Sequence, residues 1–113
     1  MGDAAAPMVK WGAMPRWFVR ALRAAMKRDG EAMRQHESPW YAMQRMAPSG
    51  LLDHDGTSKI DGVPVFVTEP YGDHDAPAAA FAAWIGCDLV KRPVSFHNPG
   101  NCERYEFHER RAT

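Results

Sequence analysis

Arg16, Arg20, Arg23 and Lys27 follow one another at intervals of four, three and four residues. At roughly 3.6 residues per helical turn, that spacing gathers four cations into a narrow wedge of one helix face. Phe18, Ala21, Leu22, Ala25 and Met26 take the opposite side, and no acid interrupts residues 4–28. The chemistry open to such a row is electrostatic. It can hold an acidic protein surface, a phosphate backbone or anionic headgroups, or remain a solvated helix face. Trp17, Trp40 and Tyr41 lie close by in the chain and offer aromatic anchors to a partner.

The remaining reactive residues suggest metal chemistry. A structural zinc takes about four Cys, His or carboxylate ligands. His97 and Cys102 flank a turn and would be cross-strand neighbours, with Cys87 or one of two Asp-His-Asp segments, at 53–55 and 73–75, completing a set. No Cys-x-x-Cys or His-x-x-x-His spacing accompanies them, and His108 stands about 20 Å from Cys102 along a strand. Asp53, Asp55 and Asp61 take the first, third and ninth places of a calcium loop. Gly56 then comes two places early and Pro64 stands where the bidentate Glu belongs, so Asp-rich turns account better for these acids. Catalytic signatures are sparse. Ser95 beside His97 lacks a nucleophile elbow, Cys102 lacks the helix N-terminus that would activate a thiol, and no Walker or dinucleotide fingerprint occurs.

The elements that would carry these residues can be read from punctuation and period. Residues 1–13 are rich in Ala, Gly and Pro without a period, as in a flexible N-terminal arm, and residues 14–113 make one small domain. Pro15 opens a helix that runs to about Arg28 and stops at Asp29-Gly30. A second helical stretch is expected over 31–37. Ser38 as N-cap and Pro39 at the first position start a third helix, to about Met46. Val63, Val65 and Val67 alternate with Pro64, Phe66 and Thr68 as in a strand, with Pro64 fit for an edge or strand start, and Asp61-Gly62, a two-residue hairpin signal, makes Thr57 to Ile60 its expected partner. Asp75 is expected to cap a helix that ends at Gly86. Val90 to His97 and Cys102 to about His108 form a last hairpin, centred on Pro99-Gly100. On that register Tyr105 and Phe107 join Val94 and Phe96 on the core face, and Arg104 and Glu106 share the other. The expected fold is therefore α+β: N-terminal helices packed on a small mixed β-sheet containing a β-α-β-β unit.

Net charge is zero over 113 residues, but it is segregated. Residues 1–50 hold eight cations and four acids, net +4; residues 51–90 hold one cation and seven acids, net −6; residues 91–113 hold five cations and three acids, net +2. Either the chain presents two surfaces of opposite sign, or the acids of 53–75 neutralise the stripe from within. A neutral total weighs against a dedicated nucleic-acid binder. An alanine-rich apolar face already needed for the core weighs against membrane docking. No secretory h-region is visible and two cysteines make no disulfide scaffold, so a cytoplasmic location is expected. The leading expectation is a non-catalytic binding or accessory protein that engages a macromolecule through the basic helix. A protein partner stands ahead of nucleic acid, and a second copy of the chain is a further candidate. The alternative is a small metal-binding domain or metal-dependent enzyme, with zinc as its cofactor.

Overall fold

The structure, a computed structural model, describes residues 10–11, 14–92 and 102–110. Its elements run β1 (Lys10–Trp11), α1 (Arg16–Arg28), α2 (Pro39–Met46), β2 (Gly56–Ile60), β3 (Val63–Thr68), α3 (Asp75–Ile85), β4 (Asp88–Arg92) and β5 (Arg104–His108). The fold is α+β, with α1 and α2 preceding four of the sheet's five strands. Lys10 and Trp11 pair with Thr57 and Gly56, so this part of the expected arm is strand. The free edge of β2 gives it backbone partners. The rest of that arm lies outside the described residues.

Local chemistry accounts for most boundaries. Pro15 sits at the N-cap of α1, and its carbonyl accepts from the amides of Phe18 and Val19. The Ser38 hydroxyl accepts from the Tyr41 amide at 3.3 Å, with Pro39 opening α2. Ser38→Ala should therefore cost about 1 kcal/mol in chemical denaturation, the usual worth of a lost N-cap. Asp61 and Gly62 both have positive φ, 51° and 79°, between Ile60 and its partner Val63. That is the type I′ geometry an Asp-Gly turn favours. Pro64 lies past the end of β5, where its missing N–H leaves no ladder bond unmade.

Three expectations are corrected. Residues 31–37 form no helix. Seven residues without a packed face cannot sustain one. Arg45 instead latches the loop, donating to both carboxylate oxygens of Glu37 at 2.9 and 3.0 Å, to Glu31 and to the Ala32 carbonyl. The Arg45 hydrogen bonds hold the Glu37 carboxyl down to about 2. Asp75 does not cap α3: the Asp73 carboxylate accepts from the Asp75 amide, while Asp75 itself binds Tyr105 and Lys91.

The third correction is in the sheet. The β-α-β-β unit is present, and β3 and β4 run the same way, but β5 lies between them. The order is β1-β2-β3-β5-β4, and every neighbouring pair is antiparallel rather than mixed. Tyr105, Glu106 and Phe107 are fully buried, whereas Asp88, Lys91 and Arg92 are exposed. The more buried strand takes an interior slot and the charged one the edge. Arg92 stands opposite Arg104 and Asp88 opposite His108, three residues away from a register centred on Pro99-Gly100. Val94, Ser95, Phe96 and His97 lie outside the described residues.

The core lies between the helices and one face of the sheet. Trp17, Phe18, Leu22 and Met26 of α1 meet Phe66 of β3, Tyr105 and Phe107 of β5, and Phe81 and Ile85 of α3. Thus α1 spends its whole apolar face inward, which leaves the opposite face outward.

Candidate interaction surface

Arg16, Arg20, Arg23 and Lys27 are all exposed along α1. Their row spans about 16 Å at a rise of roughly 1.5 Å per residue. Among the described residues the stripe makes one ion pair, Arg20 to Glu109 at 3.8 Å, with both side chains largely in solvent. Such a contact is worth little and leaves the guanidinium free to exchange partners.

Three acids of 53–75 are occupied elsewhere. Glu69 pairs with Arg104 at 3.2 Å, Asp75 with Lys91 at 2.8 Å, and Asp53 with His54 at 3.4 Å. Among the described residues none of them reaches the stripe. Internal neutralisation, one of the two readings of the charge segregation, is thus excluded for these groups.

The expected aromatic anchors divide. Trp17 is only 6 % exposed, and its indole N–H donates to the Pro64 carbonyl at 2.7 Å, so it is core and no partner contact. Trp40 is half-buried, its ring edge-on to Phe66 at 6.3 Å. Tyr41, 65 % exposed, remains open on α2.

His97 lies outside the described residues, and the other metal candidates do not come together. Among the described residues no group of three His, Cys, Asp or Glu side chains could hold an ion. Cys87 precedes β4 beside the His108 end of β5, whereas Cys102 precedes β5 at its other end, where it bridges Tyr71. The six residues from Cys102 to His108 put about 20 Å between those ends. Burial also pushes the Cys87 thiol up to about 12, which suits a small apolar side chain better than a ligand or nucleophile. The Asp-His-Asp segments serve turns: the Asp53 carbonyl accepts from the Glu69 amide, and His74 Nδ1 contacts the Gly72 carbonyl.

Two polar knots and one groove escaped the sequence reading. On the sheet face away from the helices, the buried Glu106 carboxylate receives Arg92 Nε at 3.0 Å, Arg104 Nε at 3.2 Å and His108 Nε2 at 3.0 Å. Burial pushes the Glu106 carboxyl up, but these three partners more than reverse it and the net direction is down. On the helix face, the Tyr105 hydroxyl donates to Asp75 at 2.6 Å and accepts from the His74 amide at 2.9 Å. Burial and Asp75 together push the phenol up to about 12. Each knot centres on a buried group, Glu106 or Tyr105, held by several neighbours, which marks them as architecture. The alternation of Arg104 and Glu106 was a signal for the first, but the shifted register hid Arg92 from it.

The groove lies at the C-terminal end of α1. It measures about 260 Å³ and is lined by Asp29, Met46, Pro48, Ala80, Phe81 and Trp84. Phe81 and Trp84 stack at 6.0 Å between centroids. The Trp84 indole donates to Asp29 Oδ2 at 2.7 Å, and Arg28 donates to the Trp84 carbonyl at 2.6 Å.

No family model, no curated protein and no solved structure matches this chain. Function must therefore be argued from these surfaces alone. No helix among the described residues is long and apolar enough to cross a membrane.

Proposed function

We propose that this protein is a non-catalytic binding module whose α1 stripe docks an acidic face of a partner protein. The observation that carries the reading is the exposure of Arg16, Arg20, Arg23 and Lys27 on a helix anchored by its other face. A rigid row of four cations is preorganised for a complementary surface, which steers encounter and fixes register. Protein is favoured over nucleic acid because the chain carries no net positive charge and because Trp17 offers no surface for base stacking. Two free, buried cysteines suit a reducing, cytoplasmic location.

The test is chromatography on immobilised poly-glutamate and, in parallel, on duplex DNA, each across a salt series. Retention on poly-glutamate should fall as salt rises. Arg20→Glu together with Arg23→Glu should weaken binding about 10- to 100-fold, since each reversal removes an attraction and adds a repulsion. Both positions are in solvent, so the melting temperature should stay within a degree or two of the parent. Undiminished retention by the double variant would discard the stripe as the binding face. Tighter, steeply salt-dependent retention on DNA would transfer the role to phosphate.

A further inference from the structure

The two edges of the sheet differ. On one side the short β1 covers β2, while on the other β4 pairs with β5 alone among the described residues. A bare strand edge is a row of unpaired N–H and C=O groups, which natural sheets commonly blunt with charge. Asp88, Lys91 and Arg92 are the charged residues of β4, and all three are exposed. Lys91 is taken up on the helix side, by Asp75 at 2.8 Å and Glu103 at 3.1 Å. Asp88 and Arg92 lie on the opposite face, since they stand across from His108 and Arg104, on either side of the Val90–Glu106 pair. They are opposite in sign, with 58 % and 44 % of their side chains in solvent. Among the described residues Asp88 meets only Arg110, and Arg92 only Glu106.

We propose that the β4 edge pairs antiparallel with β4 of a second copy of this chain, in the register centred on Val90, joining the two sheets into one. A two-fold axis perpendicular to the sheet keeps the faces of both copies aligned, so only residues of one face can stand opposite each other. That leaves few registers. Centred on Leu89, Asp88 meets Val90 and no charge is answered. Centred on Lys91, two lysines face each other. Centred on Val90, Asp88 stands opposite Arg92 twice over, and the partly buried Val90 meets its own copy. The two charges then specify a partner instead of repelling one. The helix layer permits the approach. Phe81 of α3 lies 6.0 Å from Phe107 of β5, and Asp75 of α3 reaches Lys91 of β4, so α3 lies over these two strands. With strands about 4.8 Å apart, the two copies of α3 come within ~10 Å, an ordinary helix-packing distance. Ala79, one turn beyond Asp75 on the same side, is exposed and small enough for that contact. The inference is independent of the α1 stripe, which takes no part in the pairing.

Gel filtration with light scattering, over a wide range of loading concentrations, reads the pairing as mass. The parent protein should approach twice the chain mass as concentration rises. Asp88→Arg turns both contacts across the axis into repulsions and should raise the dissociation constant about 10- to 100-fold. The position is in solvent, so the fold should survive, as a melting curve checks. An equimolar mixture of Asp88→Arg and Arg92→Glu should regain the doubled mass, because every contact across the axis then joins opposite charges. Arg92→Glu also disturbs Glu106, so Ala79→Arg, which leaves β4 untouched, gives a second route: its bulk between the two copies of α3 should dissociate the pair. A parent protein of single-chain mass throughout would overturn the proposal. So would a dimer that either Asp88→Arg or Ala79→Arg leaves intact, or a folded mixture that stays monomeric. A dimer lost instead in the Arg20→Glu, Arg23→Glu variant would place the second copy on the stripe and overturn the β4 assignment.

Discussion

Phe66→Ala is expected to lower stability by about 4 kcal/mol, the middle of the range for a buried aromatic truncated to alanine. Phe66 is fully buried on the helix-facing side of β3. Its ring stacks on Phe18 at 4.6 Å, lies 6.0 Å from Phe107 and meets Trp40 edge-on at 6.3 Å. Truncation therefore empties the point where α1, α2 and the central strands converge, and it removes several aromatic pairs together. A domain of this size has a total stability on the order of 10 kcal/mol, so the variant keeps only part of its margin. The melting temperature should fall by roughly 15 °C. Phe66→Leu refills most of the volume and should cost less than about 2 kcal/mol. A calorimetric comparison checks both. A loss below about 1.5 kcal/mol for Phe66→Ala would mean that the layer collapses into the hole and that α1 is not braced as argued. That bracing gives the stripe its rigidity, so the same variant should also bind poly-glutamate less well.

What could be read from the chain was local. Pro15, Ser38-Pro39, Asp61-Gly62 and Gly86 each carry their meaning in two or three residues, and each ends or starts an element where expected. The outward stripe was legible because helical period alone sets it. The losses came where distant residues decide. Residues 31–37 have no helix because an arginine in α2 reaches back to bind their carboxylates. Trp17 sits beside the stripe in sequence, yet a carbonyl 47 residues away holds its indole inside. The slot taken by β5 depends on the relative burial of strands separated by a helix, which no local pattern encodes. The groove was invisible for the same reason: its lining comes from three segments, and the alanines of α3 give no hint that one of them forms a rim.

Glu106→Ala should be nearly as costly as the loss of Phe66, at about 3–5 kcal/mol, although it deletes a charged residue. Glu106 is 1 % exposed on β5, an interior strand, and Arg92, Arg104 and His108 converge on its carboxylate. Removing it leaves the Arg104 guanidinium, itself mostly buried, with Glu69 alone at 3.2 Å. Arg104 Nη2 is already a buried nitrogen with no hydrogen-bond acceptor. An uncompensated buried cation costs more than the pair contributed. Replacing both partners, Glu106→Leu with Arg104→Met, should therefore recover a large part of the loss, giving a double-mutant cycle far from additive. The parent protein should also show a matching acid dependence. The Glu106 carboxyl sits below its ordinary value when folded. Its contribution is then complete above the unfolded value of about 4.5 and drains away as pH falls through the lower folded value. Denaturation between pH 7 and pH 3 should show Glu106→Gln losing less stability on acidification than the parent. Parallel curves would mean that the carboxyl titrates alike in both states, and that shape alone fixes this residue inside the sheet.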